Sequence, residues 1–341
     1  MKRVRDAVRG ADMYGRKPDE RHPLANEVAS LDLASLVLCV PSSMTLPREV
    51  IPDRFYMITR RCTQQQFLLR PDAETNNAFT YCLAEAAQRF GIVVMLTCAM
   101  SNHHHTVIYD PRGTVIEFVE HFHKMFAKCQ NVLRGRSENM WASRPVSIVR
   151  LADNDGVIDR LVYTATNPVK DRLVERVCHW PGVNGFSALV NQRPLRARRP
   201  HYFFRDDGTM PETATLHLVI PPKLGNSKDI LRTLRKRVAE VEKTEAAERR
   251  KNGRRVLGRG RVRRQSWRDS PKSDAPRRGM NPRVAARDKW ARMEALMRNR
   301  VFLADYRIAR AALLAGTPIP FPIGTYWLRR FVGVPIVAAQ N

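Results

Sequence analysis

The sequence predicts an α+β domain, an antiparallel sheet with helices packed on one side, followed by a basic C-terminal extension. Three observations predict it. Runs rich in β-formers alternate with helical periodicities in the order β-α-β-β-α-β-α between residues 54 and 166. Two apolar runs, Ile92–Met100 and His103–Tyr109, lie two residues apart and read as a hairpin. Beyond Phe186 the apolar patterning gives way to charge.

Each element has a local cause. Phe55-Tyr56-Met57-Ile58-Thr59 is a compact run of β-formers, and the strand extends to Arg61. Pro71-Asp72 opens a helix that runs to Phe90, with Phe79, Leu83, Ala86 and Phe90 on one face and Gly91 as its stop. After the hairpin, Asp110-Pro111-Arg112-Gly113 is a turn, and Thr114 is placed to cap the next helix. Ile116, Val119, Phe122, Phe126 and Cys129 form that helix's apolar face. Val146–Leu151 reads as a short strand. Asp155–Thr166 reads as a helix ended by Asn167-Pro168. Leu216–Ile220 suggests one more strand, and Asp229–Lys251 and Asp288–Leu314 suggest helices.

These boundaries divide the chain into a lead-in (1–48), a core domain (49–186), a linker and helical segment (187–248), a basic stretch (249–287) and a helical segment (288–341). The basic stretch is expected to be disordered until it meets a partner, because Gly258, Gly260, Pro271, Pro276, Gly279 and Pro282 interrupt a run of arginines.

The formal charge is +26 over 341 residues. Residues 249–300 hold nineteen Lys/Arg against four Asp/Glu, so this stretch carries over half of it. A surface so positive calls for a polyanion, and nucleic acid is the commonest. No run approaches the roughly 18–20 apolar residues of a spanning helix. The longest early run, Leu33–Val40, is short, and the opening Met1-Lys2-Arg3 leads into mixed charge, so neither a membrane nor a secretory route is expected. The six cysteines are scattered singly, which fits a reducing cytoplasm rather than a disulfide framework.

Asn102-His103-His104-His105 carries the chemistry. Alternate side chains on a strand share a face, so His103 and His105 point together while His104 points to the other side. Two imidazoles on a rigid face can hold a divalent metal. The Phe55–Arg61 strand, the 72–90 helix and Met100-Ser101-Asn102-His103-His104-His105 together resemble the insertion-sequence-200-like transposases, in particular the REP-associated tyrosine transposases with their HUH motif. Tyr163, Asn167-Pro168-Val169-Lys170 and Leu173-Val174 are similar to that family's second signature, and Gly135-Arg136 and Trp141 continue the likeness over residues 50–186.

The resemblance implies a ferredoxin/RRM-like core and a bacterial, nucleoid-associated protein of a mobile element that acts on single-stranded or hairpin DNA, as a homodimer in many relatives. It implies Mg²⁺ or Mn²⁺ held by His103, His105 and, by analogy, Gln130. A tyrosine then attacks one phosphodiester to leave a 5′-phosphotyrosine link. Phe126 stands where the resemblance puts that tyrosine, one turn before Gln130, and phenylalanine has no oxygen to attack with. Tyr163 and Cys129 are the other nucleophile candidates, although each also reads as a packing residue. Nucleic-acid contacts are expected from Arg60, Arg61 and Lys170 in the core. In the tail they are expected from Arg249, Arg250, Lys251, Arg254, Arg255, Arg259, Arg261, Arg263 and Arg264, with Trp267 as a stacking residue. The expected function is metal-dependent cleavage and transfer of single-stranded DNA. The alternatives are a silenced DNA-hairpin-binding descendant and an RNA-binding protein whose tail dominates.

Overall fold

The computed structural model describes residues 46–272 and 281–338; the lead-in's apolar run and Cys39 lie outside them. In chain order the core elements are β1 (Arg54–Arg61), α1 (Ala73–Phe90), β2 (Val93–Ala99), β3 (His103–Asp110), α2 (Val115–Arg134), β4 (Ser147–Leu151) and α3 (Asn154–Lys170). There follow α4 (Phe186–Val190), β5 (Leu195–Arg198), β6 (Thr213–Leu216), α5 (Ser227–Lys251) and α6 (Arg259–Arg264). Last come β7 (Val284–Ala285), α7 (Lys289–Leu314) and α8 (Trp327–Phe331).

The main sheet has the order β2-β3-β1-β4-β7. Its first four strands are antiparallel to their neighbours, and β7 joins β4 in parallel. The order β-α-β-β-α-β with β1 and β3 central is the ferredoxin-like arrangement. β1 and β2 flank β3 and run parallel to each other, as β3 and β4 do about β1. Two right-handed crossovers therefore lay α1 and α2 on the same face.

The helices are not all on one side. His104 meets Phe79 of α1 and Phe122 and His123 of α2, whereas its neighbour His105 meets Tyr163 of α3. Since consecutive strand residues face opposite ways, α3 covers the other face. It comes after the last crossover, so the handedness rule that pairs α1 with α2 does not constrain it.

Caps and turns explain the boundaries. Asp72 accepts the backbone N–H of Thr75 and also binds Arg70 and Arg134, which ties the start of α1 to the end of α2. Gly91 ends α1 at φ +67, a left-handed conformation that favours glycine. The expected cap at Thr114 is instead Asp110: its fully buried carboxylate accepts the N–H groups of Arg112, Gly113, Thr114 and Val115, while the Thr114 hydroxyl donates to Phe90 O. Helix α3 does not stop before Pro168 but passes through it to Lys170. Proline in the last turn removes only one ladder bond, and the C-cap N–H of Asp171 closes the helix on Asn167 O. The strand expected at Leu216–Ile220 lies earlier, at Thr213–Leu216, where β5 and β6 form a small hairpin.

The chain divides into two compact units, residues 52–295 and the remainder, so the expected core from residue 52 onward shares one unit with the segments up to residue 295, and residues 49–51 belong to the other. The basic stretch is not a free tail within its described part. Residues 257–269 are bonded to the core, and β7 pairs with Arg150 and Leu151. Asp153 accepts from Gly156 at the start of α3 and from Arg287 and Asp288 after β7. The second unit closes on Phe321, packed with Ala309, Leu313, Leu328 and Val334. No described helix is long and apolar enough to cross a membrane.

Candidate active site

β3 brings His103 and His105 to the α3 face, as strand alternation predicts. In register with them across β1 stand Arg61 and Thr59. Thr59 Oγ1 lies 2.8 Å from His105 Nδ1, and Asn102 Oδ1 lies 2.7 Å from His103 Nδ1. An amide oxygen only accepts, so His103 donates from Nδ1 and keeps the lone pair on Nε2. His105 Nε2 is buried with no hydrogen-bond partner, and when the Thr59 hydroxyl accepts from Nδ1 the Nε2 lone pair is free as well. Burial first, then the charges of neighbouring groups, holds both imidazoles below the ordinary histidine range, His105 at about 3. Both rings are neutral at pH 7, with no proton to displace before a cation binds.

Tyr163 comes from α3, its ring 5.2 Å from that of His105 at 71°. Asn167 is one turn further along the helix and Lys170 nearly two, so all three lie on one stripe. Lys170 Nζ sits 5.7 Å from the Tyr163 ring. Asn167 is buried, and its Oδ1 has no partner. The Tyr163 phenol is pushed up by burial and then by Asp171, against the opposing pull of the Asn167 amide, Arg160 and Arg61. Cys98, opposite His105 on β2, is also on this face, where Asn184 reaches both it and Ala165 O of α3.

Several expected site residues lie elsewhere. Gln130 is on α2, beneath the opposite face; Thr75 Oγ1 donates to its Oε1 at 3.5 Å, and it does not join His103 and His105. Phe126 is fully buried there, edge-on to Phe79 at 5.3 Å, and serves as core. Cys129 pairs with Cys82, their sulfurs 3.9 Å apart and buried. Arg60 shares the face of His104, and its guanidinium lies 5.9 Å from the Trp141 ring, away from the site. Arg61 and Lys170 remain exposed on the site side. Gln130 and Phe126 were placed by analogy, and an apolar helical stripe says that a helix covers a sheet, but not which face it covers.

Asn167 is the residue that sequence reasoning quoted but did not assign. The signal was the spacing Tyr163, Asn167, Lys170, at i, i+4 and i+7 of one helix. Among the described residues no group of three His, Cys, Asp or Glu side chains is positioned to hold a metal. A third protein donor beside the two imidazoles would have to be of another type, and the Asn167 amide oxygen is such a donor.

No family model matches the chain, and no curated protein matches it. Among solved structures the chain is similar to a REP-associated tyrosine transposase bound to a REP hairpin, at 17% identity over 44% of this chain and 86% of that one, with a TM-score of 0.38.

Proposed function

We propose that the protein is a transposase-like, metal-dependent nuclease and strand transferase for single-stranded DNA, with Tyr163 as its nucleophile. The observation that carries the reading is a convergence on one sheet face. Two neutral imidazoles, His103 and His105, pack against each other there, and His105 meets the only tyrosine, among the described residues, whose ring packs against either of them. His103 and His105 would hold the cation, with Asn167 Oδ1 as third donor in place of Gln130. Two nitrogens and one amide oxygen suit Mn²⁺ better than Mg²⁺, which favours all-oxygen sites. Such a cation supplies polarisation of the scissile phosphodiester and positive charge beside the forming phenolate.

The chain's own groups do the rest. Thr59 and Asn102 engage Nδ1 of His105 and His103 and so hold both rings in the orientation that turns Nε2 outward, and the Asn102 oxygen also sets the His103 tautomer. Arg61 and Lys170 give a phosphate positive neighbours on either side of the tyrosine. Attack by Tyr163 Oη forms the P–O bond of a 5′-phosphotyrosine; the P–O3′ bond breaks, and the tyrosine's proton leaves as the 3′ oxygen becomes a hydroxyl. A second strand's 3′-hydroxyl reverses the step and transfers the strand.

The silenced reading rested on Phe126, and it loses that support once Phe126 is a core residue and Tyr163 faces the histidines. Incubating wild type, Tyr163→Phe and His103→Ala/His105→Ala with single-stranded and hairpin DNA and Mn²⁺ tests the proposal. Cut DNA and an SDS-resistant adduct with wild type alone support it. Cutting by Tyr163→Phe equal to wild type refutes it.

A further inference from the structure

The described part of the basic stretch runs from one end of the candidate site to the other. At one end Leu257 and Gly258 N–H donate to Arg172 O and Leu173 O, both at 2.9 Å, just beyond Lys170 where the chain leaves α3. Gly258 turns the chain at φ +87, a conformation that strains any side chain, and α6 follows. At the other end Ser101, two residues before His103, donates its hydroxyl to Gln265 Oε1 at 3.4 Å, and Arg70 donates to Gln265 O at 3.3 Å. Phe67 N–H then donates to Asp269 O at 2.9 Å.

Val262, fully buried, plugs this strap onto the core. Arg259, Arg261, Arg263 and Arg264 are all exposed, and among the described residues none of them has an acidic partner. Trp267 continues the line, half-buried, with Arg268 over its ring at 4.5 Å and Arg136 at 5.9 Å.

Four unpaired guanidinium groups within six residues repel one another, so the segment gains most from an anion laid along it. No apolar side chain of α6 is exposed among them, which argues against a lipid surface. Arginines at close spacing followed by an aromatic ring match a nucleic-acid backbone and one stacked base. We propose that residues 257–269 form a rail that grips single-stranded DNA where it leaves the His103, His105 and Tyr163 site, and that Trp267 stacks a base at its far end. The proposal rests on the function proposed above for that site, but it concerns binding and not cutting.

The test uses full-length protein carrying Tyr163→Phe, in EDTA, titrated against a labelled single-stranded DNA across a salt series. Replacing Arg259, Arg261, Arg263 and Arg264 with glutamine should lower affinity at least about tenfold. It should also reduce the log–log salt slope by about 3, since each neutralised phosphate contributes roughly 0.7 on a single strand. Lysine at the same positions should restore the slope. A charge-matched control, Lys228, Arg232, Lys236 and Lys243 to glutamine, should change the slope by less than half as much. Equal losses in strap and control variants would overturn the rail, as would a loss confined to RNA of the same sequence. Thermal unfolding of each variant checks that the fold is intact. Cutting by wild type decides the function separately: a strap that binds in a protein that never cuts leaves the rail standing and the nuclease refuted.

Discussion

The Tyr163 ring meets the His105 ring edge-on across the interface of α3 and β3, at 5.2 Å and 71°. Fifty-eight residues separate them in sequence. Their meeting depends on α3 covering the sheet face opposite α1 and α2.

Tyr163→Phe keeps the ring, and hence the packing against His105, and deletes only the oxygen proposed as nucleophile. Adduct formation should fall below detection while DNA affinity stays within about twofold, because a single hydroxyl carries the covalent step and little of the backbone binding. Gel analysis of SDS-treated reactions reads the first quantity, and anisotropy titration the second.

Thr59→Val removes the Thr59 hydrogen bond to His105 Nδ1 without touching a proposed ligand. A partner of this kind typically accounts for about 10–100-fold in metal affinity. The Mn²⁺ concentration for half-maximal cutting should rise by that order while the maximal rate changes less. An unchanged Mn²⁺ requirement would mean that Thr59 does not orient the ring.

Much of this was legible in the sequence, and the reasons divide along physical lines. Strand alternation placed His103 and His105 together and His104 opposite, because a period of two leaves no freedom. The helix stop at Phe90 comes from Gly91 in the left-handed region. The third helix was harder. Its apolar stripe could have covered either sheet face, and Pro168 suggested an end four residues before Lys170, which hid the Tyr163, Asn167 and Lys170 stripe. The strap was illegible for a similar reason. Its arginines and glycines read as disorder, yet one buried valine and a few backbone bonds to Arg172, Leu173 and Phe67 suffice to seat it.

Asp110→Ala should destabilise the protein by about 2–4 kcal/mol, more than a typical cap loss of about 1, since four backbone N–H groups lose one buried carboxylate. Urea unfolding gives the difference directly. Thr114→Ala, which loses only the bond to Phe90 O, should cost about 1 kcal/mol or less.

Glu85 predicts the acid limb of stability. Burial alone would raise its carboxyl, but His121 and then Arg89 hold it below the ordinary value of 4.5. A carboxylate depressed in the folded state contributes stability that is complete above the unfolded value and is lost as pH falls through the folded one. The advantage of wild type over Glu85→Gln should therefore shrink steadily as pH falls below about 4.5. Denaturant unfolding at several pH values measures it, and a gap that widens on acidification would contradict the assignment.

His104 offers the last prediction. It is fully buried on the sheet face that α1 and α2 cover, and its burial would be costly without partners. The structure supplies them: His104 Nε2 lies 2.8 Å from His123 Nε2, and its Nδ1 lies 3.1 Å from Thr106 Oγ1. Burial holds both rings well below the ordinary histidine range, so one neutral ring donates and the other accepts. His104→Leu leaves His123 Nε2 unpaired and should cost about 1–3 kcal/mol. Adding His123→Leu should cost less than the sum of the two single changes, because each alone already forfeits the shared bond. A double-mutant cycle by urea unfolding measures that coupling; strict additivity would mean that the two rings merely share a cavity.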